Sequence, residues 1–224
     1  MDLRLVIFDV DGTLVNSRAA IVHAMRAGFA AVGRDYPGDA ACLRGVGLSV
    51  DVMFRALVPD APDTELVALR SAYQQAYYDH RASLGSEAMA PFYDGARDAL
   101  DRFRAQDTLL MAAATGKSLR GMQAMIADHG LVGYFQSVQT ADHHPSKPHP
   151  SMIHQVLSDT GVEPARAVMV GDTSFDMQMG RAAGVATIGV SWGYHPPEAL
   201  DADRIITDFA QLDAAVDALT GGHP

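Results

Sequence analysis

The stretch Leu3-Arg-Leu-Val-Ile-Phe-Asp-Val-Asp-Gly-Thr-Leu14 constrains this chain more than any other. Leu3, Leu5, Val6, Ile7 and Phe8 make a short apolar run rich in β-branched residues, the pattern of a strand buried on both faces of a parallel sheet. The run ends in two carboxylates, Asp9 and Asp11, followed by Gly12 and Thr13. The acids therefore arrive where a buried strand opens into a turn, at its C-terminal edge, which is where open α/β sheets bind ligands. Asp and Gly are also ordinary turn residues, so a plain surface turn is the competing reading. The apolar run pressed against Asp9 argues against it. Two anions side by side in a crevice repel one another and call for a cation, so a metal ion is the natural companion.

Charge decides which partners suit such a crevice. Lys plus Arg number 17 against 27 Asp plus Glu, a formal charge of -10, and no basic block is present to track a phosphate backbone. Nucleic acid is excluded as an expected partner. A globally acidic chain that handles an anionic substrate must overcome its own field locally, with a metal and a few placed cations. No run of about eighteen apolar residues occurs, so no membrane partner is expected. The N-terminal run is too short and wrongly flanked, by Asp2 and Arg4, for a signal peptide, which leaves the cytoplasm as the expected location. Cys42 is the only cysteine, which rules out a disulfide framework and a thiolate cluster and suits a small buried hydrophobe.

With 224 residues the chain has room for one large domain or for a core with an insertion. Ser17 is placed to cap a helix carrying Ile21, Val22, Met25, Phe29 and Val32 and ending at Gly33. Asp39 to Arg44, Ser49 to Val58 and Pro62 to Leu84 also read as helices, the last with Leu66, Leu69, Tyr73, Tyr77 and His80 along a side that reads as core. No second strand is expected before Thr108 to Ala114. The intervening residues 16–90 read as a small all-helical domain, and residues 1–15 and 91–224 as the α/β core. Asp94 is the expected cap of a connecting helix. Regular βα alternation follows, with strands at Thr108 to Ala114, near Ser137 to Thr140, at Ala167 to Val170 and at Val185 to Val190. Helices Ser118 to His129, Pro150 to Thr160 and Phe175 to Ala183 separate them. That rhythm predicts a Rossmann-like parallel sheet with helices on both faces. The two crossings between the domains, at Val15-Asn16 and Pro91 to Tyr93, are expected to form a hinge, and the tail after Leu219 to fray.

Three more segments carry chemistry. Thr115-Gly116-Lys117-Ser118 puts a hydroxyl and a glycine before a helix N-terminus, which suits an anion; Thr115 as a helix cap is equally open. It is no Walker A loop, because position 111 is Met where that motif needs Gly. In Pro145-Ser-Lys-Pro-His-Pro150, three prolines stiffen the backbone around Lys147, pre-positioning an ammonium unless it is simply a solvated lysine. His143, His144 and His149 lack the spacing and company of a zinc site and read as structural or exposed. Val168-Met-Val-Gly-Asp172 delivers another strand-end carboxylate, with Asp176 four residues on. As cap and first-turn acid each is ordinary alone; together with Asp9 and Asp11 they form an all-oxygen set that suits magnesium.

DVDGT at 9–13, Thr115, Lys147 and GDTSFD at 171–176, in this order, resemble the haloacid dehalogenase superfamily of phosphohydrolases. The helical insert is similar to the cap of the subgroup that includes phosphoglycolate phosphatases and β-phosphoglucomutases. The resemblance implies Asp9 as nucleophile and Asp11 as general acid and base. It implies Mg2+ held by Asp9, the Asp11 carbonyl and Asp172, with Asp176 in support, and phosphate bound by Gly12, Thr115, Gly116 and Lys147. Within the superfamily the presence of Asp11 points away from dehalogenases, and residues 16–89 contain no lysine for a Schiff-base phosphonatase. The implied function is a magnesium-dependent phosphomonoesterase for a small phosphorylated metabolite, working as monomer or homodimer. A phosphomutase and a non-catalytic binding module are the alternatives. In the insert, Arg44-Gly-Val-Gly-Leu48 resembles a substrate loop, with Arg44 either gripping a substrate carboxylate or serving as a surface cation. Trp192 and Tyr194 either line the crevice or pack.

Overall fold

The computed structural model describes residues 3–221. Strand β1 (Arg4–Phe8) is buried along its whole length, and its side chains alternate between two cores. Val6 and Phe8 enter one apolar cluster while Leu5 and Ile7 enter the other, as the two-residue period of a strand demands. The continuous hydrophobic run is thus explained by helices on both faces of the sheet. On the Val6 side lie α6 (Ala96–Arg104), α7 (Leu119–Asp128) and α10 (Leu212–Thr220), contributing Leu100, Phe103, Met122, Met125, Leu212 and Val216. On the Leu5 side lie α8 (Ser151–Thr160) and α9 (Ser174–Ala182), with Met152, Ile153, Val156 and Met179.

The other strands are β2 (Leu109–Thr115), β3 (Ser137–Thr140), β4 (Ala167–Gly171), β5 (Ala186–Val190) and β6 (Arg204–Ile206). Their order is β3-β2-β1-β4-β5-β6 and every pairing is parallel. The expected parallel α/β sheet is therefore what the chain builds. β1 sits at the point where strand order reverses, so the C-terminal ends of β2, β1 and β4 flank one crevice.

Between β1 and α6 run α1 (Arg18–Ala31), α2 (Asp39–Leu43), α3 (Val50–Leu57), α4 (Asp63–Leu84) and the single turn α5 (Ser86–Met89). They pack around an apolar cluster of their own, in which Met25, Phe29, Cys42, Phe54 and Leu69 are fully buried. The two crossings to the sheet run side by side. Val15 bridges Phe92, Asn16 N–H donates to the Pro91 carbonyl at 2.8 Å, and Tyr93 N–H to the Leu14 carbonyl at 3.0 Å.

Several local expectations need correction. Ser17 precedes α1 but makes no capping bond, because its hydroxyl is taken by the Tyr194 hydroxyl at 2.9 Å. Gly95, in the left-handed region, precedes α6 where Asp94 was expected, and Pro150 stands before the first turn of α8 rather than within it. Thr115 ends β2; the cap of α7 is Ser118, which accepts from Gly121 N–H. β6 and α10 lie beyond the expected elements. The tail is helical to Thr220, which is buried, and the rest of the expected fraying lies outside the described residues apart from Gly221.

Candidate active site

Asp9 follows the last residue of β1, its N–H donating to the Val170 carbonyl at 2.9 Å, and its side chain is buried. Lys147 Nζ lies 2.8 Å from Asp9 Oδ1 and 2.6 Å from Asp176 Oδ1, and the lysine side chain has no exposure at all. The Asp9 contact is out of hydrogen-bonding alignment, so neither Asp9 oxygen has a hydrogen-bond partner. Asp172, from the end of β4, accepts from the Thr13 hydroxyl at 2.9 Å and from Tyr194 N–H at 2.8 Å. Asp176 also closes the capping box of α9, its Oδ2 accepting from Thr173 N–H and Oγ1. Asp176 thus caps α9 and also stands in the acidic cluster at the strand ends.

Asp9, Asp172 and Asp176 each bring a carboxylate oxygen to within 4.8 Å of the others. Burial pushes the Asp9 carboxyl up to about 6 despite the opposing Lys147 charge. Burial and the neighbouring anions Asp9 and Asp176 push Asp172 well above its ordinary range. Burial opposes the charge of Lys147, but Asp176 and Asp9 outweigh it and raise its pKa. One ammonium among three buried carboxylates leaves unbalanced negative charge. The two Asp9 oxygens, neither of them hydrogen-bonded, and the all-oxygen donor set fit a hard divalent cation.

The backbone must come close to this cluster. A Cβ at Gly193 would fall 2.1 Å from that of Asp172, and one at Gly12, whose φ is 90°, would fall 2.3 Å from Asp172 Oδ2. Trp192 donates from Nε1 to the Thr13 carbonyl at 3.1 Å. Trp192 and Tyr194 therefore brace the β1 turn and Asp172. Gly193 between them went unrecognised in the sequence because a single glycine in a loop carries no signal of what it approaches.

Asp11 is set apart. Its carboxylate is absent from the acidic cluster and instead receives Lys117 Nζ on both oxygens, at 2.9 and 2.8 Å. Lys117 Nζ also donates to the Tyr77 hydroxyl of α4 at 3.3 Å, with the Tyr77 ring centroid 5.3 Å away. Burial disfavours the Lys117 charge, yet Asp11 and Tyr77 raise its pKa overall. Sequence reasoning passed over Lys117, although a signal was there: Lys117 and Lys147 are the only two lysines in the chain.

A cavity of about 80 Å³ opens beside Asp9 and Asp11, walled on the sheet side by Thr115, Gly116 and Lys117 and on the other by helices α1, α3 and α4 and the loop at Gly47. Gly116 lies so close to that loop that a Cβ would meet the Gly47 carbonyl at 2.6 Å. Two further bonds join the helical segment to the sheet: Ser49 N–H donates to Ser146 Oγ at 2.8 Å, and His195 Nε2 lies 3.0 Å from the Arg44 carbonyl. The Arg44 side chain is exposed and is not among the residues that line the cavity. Tyr73 and Tyr77, expected only as core, do line it. His144 is held by Ser151 and Gln139 and joins no metal-binding group among the described residues.

A family model, haloacid dehalogenase-like hydrolase, matches residues 6–190. The chain belongs to that family. This dehalogenase-like hydrolase is 33% identical over 220 residues to a protein of Dickeya dadantii named probable phosphatase IndB, covering 96% of this chain and 94% of that one. It is 31% identical to a phosphoglycolate phosphatase of Thiobacillus denitrificans, covering 94% of each. Among solved structures, hydrolase SP0104 of Streptococcus pneumoniae shares its fold with a TM-score of 0.81 at 22% identity, over 96% of this chain and 98% of that one. The chain is thus an enzyme of the haloacid dehalogenase-like hydrolases, with phosphatases among its full-length relatives.

Proposed function

We propose that this hydrolase is a magnesium-dependent phosphomonoesterase that acts on a small phosphorylated metabolite through an aspartyl-phosphate. The observation that carries the reading is Asp9: a buried carboxylate with both oxygens free of hydrogen bonds, facing a cavity and flanked by Lys147 and two further acids. Its phosphatase relatives support the reaction class.

Asp9, Asp172, Asp176 and the Asp11 carbonyl would hold the metal, which when bound supplies the positive charge that lets an anionic nucleophile meet an anionic phosphate. Asp9 attacks phosphorus, forming an acyl phosphate as the bond to the alcohol oxygen breaks. Asp11 in its protonated form donates to that oxygen, and as the resulting carboxylate, the form that Lys117 pairs with here, it takes a proton from the water that cleaves the intermediate, which restores both acids. Lys147, the Thr115 hydroxyl and the backbone N–H groups of Gly12 and Gly116 bind the phosphoryl oxygens and hold them as charge shifts, the main task in phosphoryl transfer. Residues 16–90 act as a cap that closes over the alcohol part and excludes water, hinging where Val15 pairs with Phe92. Among the described residues no helix is long and apolar enough to cross a membrane, and the cytoplasm is the proposed setting.

The test is phosphate release from a panel of small phosphate esters with magnesium and with EDTA, beside Asp9→Asn. Release is expected in magnesium, absent in EDTA, and lower by at least about 10⁴-fold in the variant. No release from the wild-type protein on any ester would overturn the reading.

A further inference from the structure

The two walls of the cavity differ in charge. Four acids and two lysines from the sheet side surround the reaction centre, a formal excess of two negative charges that one divalent cation would offset. A phosphate dianion makes the filled site negative again. Any further anion on the substrate needs its own cation, and among the described residues the opposite wall has none. It presents Ile21, Leu48, Met53, Tyr73, Gln74 and Tyr77, together with other uncharged residues. Burial raises the Tyr73 and Tyr77 hydroxyls and keeps them neutral. Lys117 is the one cation that lines the cavity among the described residues, and both of its close carboxylate contacts are to Asp11, with the Tyr77 ring over it. Arg44 lies outside, and Arg120, also outside, is held 4.1 Å over the Tyr78 ring.

Resting on the phosphomonoesterase reading above, we infer that the substrate is the phosphate ester of an uncharged alcohol with an apolar or aromatic face, and that this chain discriminates against carboxylate-bearing esters such as 2-phosphoglycolate. A substrate carboxylate buried against this wall would lose its hydration and gain no counter-ion, a penalty that falls on binding and transition state alike. To recruit Lys117 it would have to take the ammonium from Asp11. An alkyl or aryl group instead gains contact with Ile21, Leu48, Met53 and the tyrosine rings. Gln74 and the Tyr73 hydroxyl, which have no hydrogen-bond partner among the described residues, are available to a substrate hydroxyl.

The decisive comparison is kcat/KM for 2-phosphoglycolate against 2-hydroxyethyl phosphate, which differ only in carboxylate against hydroxymethyl, with phenyl phosphate as the aromatic member. The neutral ester is expected to exceed phosphoglycolate by at least about 10-fold, and phenyl phosphate to exceed both. Gln74→Arg, at a half-buried position on the uncharged wall, is expected to narrow or reverse the first ratio while wild-type and variant melt alike. Equal or better use of phosphoglycolate by the wild type would overturn the inference and leave the phosphomonoesterase reading standing. Turnover of none of the esters would remove both.

Discussion

Lys147 and Lys117 each hold one aspartate of the Asp9-Val10-Asp11 pair, yet their surroundings differ. Lys147 stands at the floor, with no exposure, bridging two acids from different elements of the sheet domain. Lys117 stands at the rim, 11% exposed, paired with the single acid Asp11 and touching Tyr77 of the helical segment. The floor lysine is part of a buried charge cluster whose members need one another. The rim lysine connects the chemistry to the wall that covers it. Adjacent acids in one turn are thus set apart by what lies opposite them: Asp9 faces Lys147, Asp172 and Asp176, while Asp11 faces Lys117 and, through it, Tyr77.

The sharpest way to break this comparison is Lys147→Met. Without its ammonium, Asp9, Asp172 and Asp176 are left crowded and unpaired, so the metal-free variant is expected to lose about 3–5 kcal/mol of stability, read by urea unfolding. Added magnesium should recover a large part of it, because a cation that binds only the folded state replaces the lost charge. A variant as stable as wild type in EDTA would show that the floor cluster is already relieved by protonation.

Lys117→Met should behave differently. Stability is expected to change less, since Asp11 is nearer solvent, while kcat falls by about 10²-fold for all esters as Asp11 loses its orientation. If the loss appears only in KM, and only for carboxylate esters, Lys117 is a substrate ligand and not a positioning residue. With only two lysines present, side-chain labelling by lysine should give two ε-methylene signals, of which this variant removes one and leaves the other.

The smallest expected effect concerns another buried cation former, one packed on an aromatic ring and not paired to a carboxylate at salt-bridge distance among the described residues. His129, at the end of α7, packs against Phe92 with ring centroids 4.6 Å apart, and its Nε2 has no hydrogen-bond partner. Burial lowers its pKa below 6.5. The unfolded chain therefore binds the proton more readily than the folded one. The contribution to stability is complete above pH 6.5 and is lost as pH falls through the lowered pKa. His129→Gln is expected to flatten that part of the Tm profile between about pH 5 and 7, over the range of an ordinary histidine.

Much of this was legible in the residue order because it follows from short-range patterning. The apolar run ending at Asp9 is a buried strand, the helical spacing after Ser17 belongs to a helical insert, and the later βα alternation is a parallel sheet. The Asp172 strand end and the stiff turn at Lys147 were readable in the same way. β6 was not, because three residues, two of them exposed, carry no periodic signal. Ser17 was misread as a cap because nothing local reveals a tyrosine hydroxyl 177 positions away.

Residue order specifies which groups exist and which strand ends deliver them, since the two-residue and 3.6-residue periods of burial are local properties of the chain. How those groups pair is set by the folded chain. Lys147 reaches Asp9 and Asp176, Lys117 takes both oxygens of Asp11, and Arg44 turns outward. Those choices depend on which buried charges come within a few ångströms of each other, and Coulomb energies in a desolvated crevice, unlike burial periodicity, are set by distances that only the folded chain defines.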